Sequence, residues 1–303
     1  MKLTTLLTAL ALTVGLAGYA QDVRVVGVKK KGADGVPKNY SVLAPGMYDA
    51  VYSYTVKTTD KKDGTEVKDN YLTILQIGEQ QAVFGDYASY RTDSLSAAGA
   101  SADAIRESQD REAATEYYFV PRLLLNSPEG KMSVTDVSAV TIATYTEPFG
   151  TLDWELTEET DTIAGYPATK ATTSYGGRDW EAWYTEEIPS SFGPWKLAGL
   201  PGLIVKARDT EGIHEFELVS FKQSDTPLMA VKDARVMKID RDKFIAQRNK
   251  IYSAPSPLSQ IDPNSIREMA VKKTGGVGDW GVIWVNGVQV RNMGHKQIPL
   301  ELK

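Results

Sequence analysis

Ser174–Asp209 reads SYGGRDWEAWYTEEIPSSFGPWKLAGLPGLIVKARD. Within it, Gly176-Gly177 is a two-residue loop between two strand-like runs, Ile163–Tyr175 and Arg178–Thr185. Both glycines accept the positive φ angles that a tight hairpin turn requires. This turn dictates a register: Tyr175 opposite Arg178, Thr173 opposite Trp180, Ala171 opposite Ala182 and Thr169 opposite Tyr184, with Lys170 facing Trp183 and Thr172 facing Glu181 on the other side. Aromatic residues fall on both faces, so both faces are expected to be covered or functional.

Beyond Thr185, Pro189 and Pro194 rule out a central strand, because proline has no amide to donate to a ladder. Pro194 suits the first position of a single helical turn over Trp195–Leu197. Leu200-Pro201-Gly202 has the residue order of a type II turn leading into a strand over Leu203–Arg208. The turn at Asp209–Gly212 then returns the chain as Ile213–Phe221. A loop pinned in this way holds its shape at low entropic cost.

Upstream, Tyr48, Ala50, Tyr52, Tyr54 and Val56 recur at period two, the spacing of a strand. The polar loop 58–69 leads to a second strand over Tyr71–Ile77, and Gly78-Glu79-Gln80 to a third over Gln81–Tyr87. Short connections of this kind imply an antiparallel meander. Residues 91–116 are rich in alanine and charge, with Leu95 and Ile105 as their large apolar members. They read as a loosely attached helical insert. Lys131–Thr144 and Thr151–Thr160 are further strands around the turn Glu147-Pro148-Phe149-Gly150. Downstream, Asp240 is placed to cap a helix whose stripe is Phe244, Ile245, Ile251 and Tyr252. Asn286-Gly287 between Gly281–Val285 and Val288–Val290 marks another hairpin. The fold expected is mainly β: a single antiparallel curved sheet or half-open barrel, with one packed helix and a helical insert.

The chain has 303 residues and a net charge of -5, with its basic residues scattered. It lacks the clustered Lys and Arg that nucleic-acid binding needs. There is no cysteine, which removes disulfides, thiolate nucleophiles and zinc-thiolate sites together. At the start, Lys2, the apolar run Leu3–Leu16 and the small-x-small triplet Gly18-Tyr19-Ala20 have the order of a secretory signal peptide, with cleavage expected near Ala20-Gln21. The apolar run is shorter than the ~20 residues of a membrane span. The expected organisation is residues 1–20 as the signal and 21–303 as one domain, exported to the periplasm or secreted. The triplet Lys29-Lys30-Lys31 beside Gly32 and Gly35 reads as a solvated loop.

The string from Gly177 to Asp209, preceded by IAGYPATKATTSY, resembles the signature of the GLPGLI family, exported proteins of Bacteroidetes named for the hexapeptide Gly199–Ile204. The resemblance runs in order through Gly165-Tyr166, Lys170-Ala171, Gly177-Arg178, Ala182-Trp183, Ile188-Pro189, Gly193–Lys196 and Gly199–Ile204. Met47–Tyr90, Asp93-Ser94-Leu95 and Ile298–Leu302 also resemble the family. Relatives often carry a cysteine close to Ala168; this chain has none. The resemblance implies a cell-envelope protein, often encoded beside outer-membrane transport components, and no particular activity.

Few groups offer chemistry. Of the two histidines, His214 alternates with Phe216 and Leu218 on an apolar strand face, the position of a core or edge residue, and His295 lies in a polar turn. Glu186-Glu187 and Asp153 with Glu155 are adjacent or near-adjacent strand carboxylates that do not form a working pair without a bend. No phosphate-cradling glycine loop, nucleophile elbow or HExxH helix is present, so no catalytic, cofactor or metal residue is assigned. The candidate binding surface is Arg178, Trp180, Trp183, Tyr184, Trp195, Lys196 and Leu200, which could line a groove for a glycan, peptide or lipid. The same residues could instead fill the core beneath the rigid loop. The function expected is a non-catalytic, exported envelope binding or interaction protein with an envelope or outer-membrane partner. The alternatives are a periplasmic carrier of a lipid or other apolar ligand, and an envelope hydrolase.

Overall fold

The computed structural model describes residues 23–26, 39–59, 63–105, 107–108, 119, 121–138, 141–232, 236–253, 282–285, 288–289 and 298–303. The expected signal segment 1–20, the lysine triplet 29–31, part of the 91–116 insert, the turn Asn286-Gly287 and His295 lie outside them.

The strands in chain order are β1 (Val23–Val26), β2 (Asn39–Ala44), β3 (Tyr48–Thr59), β4 (Glu66–Ile77), β5 (Ala82–Asp86), β6 (Arg122–Leu125), β7 (Lys131–Ser138), β8 (Thr141–Pro148) and β9 (Glu155–Ile163). They continue with β10 (Tyr166–Tyr175), β11 (Arg178–Thr185), β12 (Leu203–Asp209), β13 (His214–Gln223), β14 (Leu228–Lys232), β15 (Met237–Lys238), β16 (Val282–Val285) and β17 (Val288–Gln289). Helix α1 is Tyr87–Ala97 and helix α2 is Arg241–Ser253. Twelve strands form one sheet in the order β15-β8-β7-β6-β5-β4-β3-β13-β12-β11-β10-β9, antiparallel except for the parallel β15–β8 edge pair. β14 pairs with β2 in a small second sheet, and β1, β16 and β17 make a third. Val285 pairs with Val288, the register that a two-residue turn imposes.

One connection shows how far the large sheet curls. β8 and β9 are neighbours in sequence but lie near opposite ends of the sheet, ten strand steps apart. Laid flat, those steps would span about 48 Å. The residues from Pro148 to Glu155 reach at most about 25 Å. The sheet therefore curls until its ends approach. Phe149 stacks on Phe192 at 5.6 Å, and the Trp154 indole N–H donates to the Ala198 carbonyl at 3.0 Å. The end strands do not pair with each other, so the result is the half-open barrel rather than a closed one.

The interior is apolar and aromatic. Ala50, Tyr52, Tyr54 and Val56 face inward as their period predicts, against Leu75, Phe84, Leu123, Phe216 and Trp180. The buried Tyr52 hydroxyl donates to the Ile204 carbonyl at 2.8 Å, which satisfies a group that would otherwise be costly to bury. The β10–β11 register is the one the Gly-Gly turn imposes, from Tyr175–Arg178 to Thr169–Tyr184. Asp240 caps α2, accepting from the Lys243 amide at 3.2 Å, and Phe244 and Ile245 are buried against the sheet.

Four expectations need correction. Lys131–Thr144, expected as one strand, is divided between β7 and β8, which pair antiparallel with Ser138 opposite Thr141. The loop expected over 58–69 is strand at both ends, over 58–59 and 66–69, with Thr58 opposite Val67 and Val56 opposite Asp69, because the long β3 partner supplies pairing that local polarity does not reveal. The helical insert begins earlier than expected, at Tyr87, where the Asp86 carboxylate accepts from the Ser89 amide at 2.7 Å. It is also anchored more firmly than its composition suggests: Ala88, Thr92, Asp93 and Ile105 are buried, and Asp93 pairs with Arg122 at 3.1 Å. The anchor is polar and comes from β6, so an apolar stripe could not have announced it.

Candidate functional site

The segment between β11 and β12 folds over the open side of the barrel. Pro194–Leu197 does not form the helical turn that proline placement suggested. It is a tight turn, closed by the Leu197 amide on the Pro194 carbonyl at 3.1 Å, with Trp195 at φ +56°. A non-glycine residue in that region costs about 1–2 kcal/mol. Burial of the indole, 5.5 Å from the Trp180 ring and 5.6 Å from Tyr175, offsets that cost. Gly202 is needed for space rather than for a positive φ, since a Cβ there would lie 2.1 Å from the Thr185 carbonyl oxygen. The positive φ, +103°, belongs to Gly199.

This turn points Lys196 into the protein. Its ammonium lies 2.5 Å from Glu147 and 2.8 Å from Glu301, donates to the Tyr145 hydroxyl at 3.1 Å, and sits 5.1 Å from the centre of that ring. Arg241 of α2 bonds the same two carboxylates, at 2.9 Å to Glu147 and by a short contact to Glu301. The Tyr175 hydroxyl donates to Glu147 at 2.8 Å. Two cations and two carboxylates thus balance within hydrogen-bonding distance. For Arg241, burial opposes the charged form, but Glu301 and Glu147 outweigh it and raise its pKa. Tyr145 and Tyr175 are raised by burial first and then by the same carboxylates, so both hydroxyls remain neutral.

A second group is centred on Arg178, the residue that follows the Gly-Gly turn. Its guanidinium pairs with Asp209 at 2.9 Å and with the exposed Glu211 at 3.2 Å, and donates to the Leu300 and Pro299 carbonyls at 3.2 and 2.8 Å. Asp209 also accepts from the amides of Ile213 and His214. His214 is fully buried, with its Nδ1 2.8 Å from the Tyr54 hydroxyl. Burial first, and then the positive charge of Arg178, lower its pKa to about 3. It is a neutral core histidine at ordinary pH.

Both groups converge on one stretch of chain. Segment Ile298–Lys303 lies across the Gly176-Gly177 turn, with the Leu302 amide donating to the Gly176 carbonyl at 2.6 Å. Arg248 donates to the Glu301 carbonyl at 2.6 Å, Asn249 to that of Leu302 at 2.8 Å, and Arg241 to the main-chain oxygen of Lys303 at 3.1 Å. A Cβ on Gly176 would meet Glu301 at 2.9 Å. The hairpin turn is thus bare where this segment crosses it.

The structure brings the seven candidate surface residues together, though not as an exposed groove. Arg178, Trp180, Trp183, Tyr184, Trp195, Lys196 and Leu200 are all buried. Trp180, Trp183, Tyr184, Trp195 and Leu200 all belong to the hydrophobic core, and the cations of Lys170 and Arg208 sit 5.5 and 5.2 Å from the Trp183 ring. The surface reading is corrected because the β11–β12 segment and Ile298–Lys303 cover what an isolated hairpin would leave open. Glu186, Glu187, Asp153 and Glu155 are exposed. Sequence reasoning missed Glu147, Arg241, Arg248 and Glu301, which gather around Lys196 only through tertiary contacts. Among the described residues, no group of three or more His, Asp or Glu is arranged to hold a metal ion, and no helix is long and apolar enough to cross a membrane.

A family model described as "Protein of unknown function (Porph_ging)" matches residues 177–206, from the second glycine of the hairpin turn to Lys206 in β12. No curated protein matches the chain. Among solved structures, it is similar to PNGF-II in the P21 and C2 crystal forms, at 16% and 17% identity with TM-scores of 0.44 and 0.42, each covering 68% of this chain and 33% of that one. It is also similar to the LolA superfamily protein NE2245 from Nitrosomonas europaea, at 10% identity and a TM-score of 0.22, covering 66% of this chain and 90% of that one. The chain spans about a third of PNGF-II, and likenesses at these TM-scores carry no functional argument. The matched stretch, residues 177–206, contains both Arg178 and Lys196, the residues on which the two polar groups converge.

Proposed function

We propose that this chain is a non-catalytic, exported binding or interaction protein of the cell envelope, a single GLPGLI-type domain over 21–303 released by cleavage near Ala20-Gln21. Its partner on this reading is another envelope protein, in the setting of outer-membrane transport. One observation carries the reading: a buried polar constellation grips a peptide segment, Ile298–Lys303, that runs without strand pairing and bends at Leu300. Arg178, Arg248, Asn249 and Arg241 donate to five consecutive main-chain oxygens of 298–303. Capture of a peptide through its main-chain groups is a recurrent recognition mode. Lys196 is held between two carboxylates.

The test is crosslinking in intact cells of the native host, followed by recovery of the tagged full chain and mass spectrometry. The expected result is a mature chain beginning at Gln21, in the envelope fraction, with the same envelope protein attached in replicate. An uncleaved chain, or the absence of any reproducible partner, overturns the reading. The carrier reading draws on the curvature of the sheet. It would be favoured by a stoichiometric apolar ligand in native mass spectrometry of chain taken from its own envelope, although Trp180, Tyr52, Phe216 and Leu197 fill much of the interior.

A further inference from the structure

The contacts around segment 298–303 divide into two kinds. Those to its main chain are tolerant of sequence, because any residue offers the same carbonyl. Those to its side chains are selective at two adjacent positions. Leu300 is buried, and the Glu301 carboxylate lies between Lys196 and Arg241. Selectivity ends on the far side, where Leu302 is 46% exposed and Lys303 is also exposed, whereas Ile298 is partly buried against the core. The segment adds no strand to the large sheet. It is held by side chains from β11, α2 and the β11–β12 connection, across a turn whose two glycines leave room for it. A Cβ on Gly177 would come within 3.0 Å of the Leu302 side chain.

We propose that Gly176, Arg178, Lys196, Arg241, Arg248 and Asn249 form a binding site for a peptide carrying a Leu-Glu pair, and that Ile298–Lys303 is its resident, exchangeable occupant. This deepens the binding-protein reading and rests on it. Charge identifies the ligand as acidic. Without Glu301, Lys196 and Arg241 share Glu147 alone, and the site lacks one carboxylate at a position almost closed to water, where an uncompensated charge is costly. The main-chain contacts identify it as a peptide. Five main-chain carbonyls and two main-chain amides engaged in one short segment are what a polypeptide presents. A partner segment of this chemistry would displace the resident one, and the affinity observed would be reduced by the fraction of time the resident occupies the site.

The test uses the full chain, wild type and Glu301→Gln, with a fluorescent peptide Ile-Pro-Leu-Glu-Leu-Lys and its Glu→Gln counterpart, read by anisotropy. Glu301→Gln weakens the resident without emptying the site of cations. The glutamate peptide is therefore expected to bind this variant about tenfold more tightly than the wild type, and the glutamine peptide to bind each chain more weakly than the glutamate peptide does. A purely architectural role for the segment predicts that neither peptide distinguishes the two chains, and that result overturns the proposal. If the variant does not fold, hydrogen exchange on the wild type decides. Excess glutamate peptide should speed exchange at the Leu302 amide while the amides of β11 stay protected, and an unchanged Leu302 rate overturns the proposal. A negative result here, with a crosslinked partner still recovered from cells, removes this site and leaves the broader reading standing.

Discussion

Acid should unfold this protein partly through His214. The ring is fully buried, stacked on Tyr54 at 6.1 Å, and has its pKa lowered to about 3 by burial and by Arg178. In the unfolded chain it would titrate near about 6.5. The folded value is depressed, so the unfolded state takes up the proton first. The contribution of this residue to stability is therefore intact above about pH 6.5 and is lost as pH falls toward about 3. Each pH unit within that window costs about 1.4 kcal/mol. Between about pH 6.5 and about pH 4 the loss comes to roughly 3 kcal/mol, a large part of the 5–15 kcal/mol typical of a folded domain. The assay is urea unfolding of the wild type and of His214→Leu at several pH values across the window. Leucine cannot titrate. Its cost at neutral pH displaces the whole stability curve and leaves the slope to report the histidine. The wild type should lose roughly 3 kcal/mol more than the variant over that range. Parallel curves for the two proteins would refute the reasoning, since they would mean that His214 gains its proton as readily in the folded state as in the unfolded one.

Three other perturbations probe the site and its frame. Lys196→Met leaves Glu147 and Glu301 facing one another with only Arg241 between them. It should cost about 3–5 kcal/mol in chemical denaturation, and a loss below about 1 kcal/mol would mean that the pair behaves like one on the surface. Gly202→Ala places a Cβ 2.1 Å from the Thr185 carbonyl oxygen. A drop of at least about 2 kcal/mol is expected from the backbone shift this forces, and an unchanged unfolding midpoint would show that the loop yields freely. Asp240→Ala removes the cap of α2 and should cost about 1 kcal/mol; measuring no change would mean that the carboxylate does not hold the helix end.

The parts of this fold legible in the sequence are those governed by neighbours in the chain. Gly176-Gly177 imposed the β10–β11 register because a two-residue turn leaves the flanking strands no other pairing. Alternation placed Ala50, Tyr52, Tyr54 and Val56 on one face, and Asp240 signalled the start of α2. Proline placement was less informative. Pro194 fits a helical turn by its φ alone, and only the drive to bury the Trp195 ring selected the left-handed turn actually formed. Gly202 illustrates the same limit. Its place in the turn was visible, but its reason, a close approach to Thr185, was not.

What local chemistry determined, then, was strands, turns, a helix start and the absence of any cysteine-based site. What only the tertiary structure decided was inside and outside. The six residues between β8 and β9 force the ends of a twelve-stranded sheet together, and that closure turns the hairpin's aromatic face into core. Lys196 meets Glu301 across 105 positions of sequence and Arg178 meets Pro299 across 121. No period or spacing encodes such pairings. They exist because a buried cation is stable only beside carboxylates and carbonyls, and the curl of the sheet is what delivers those groups to Lys196 and Arg178.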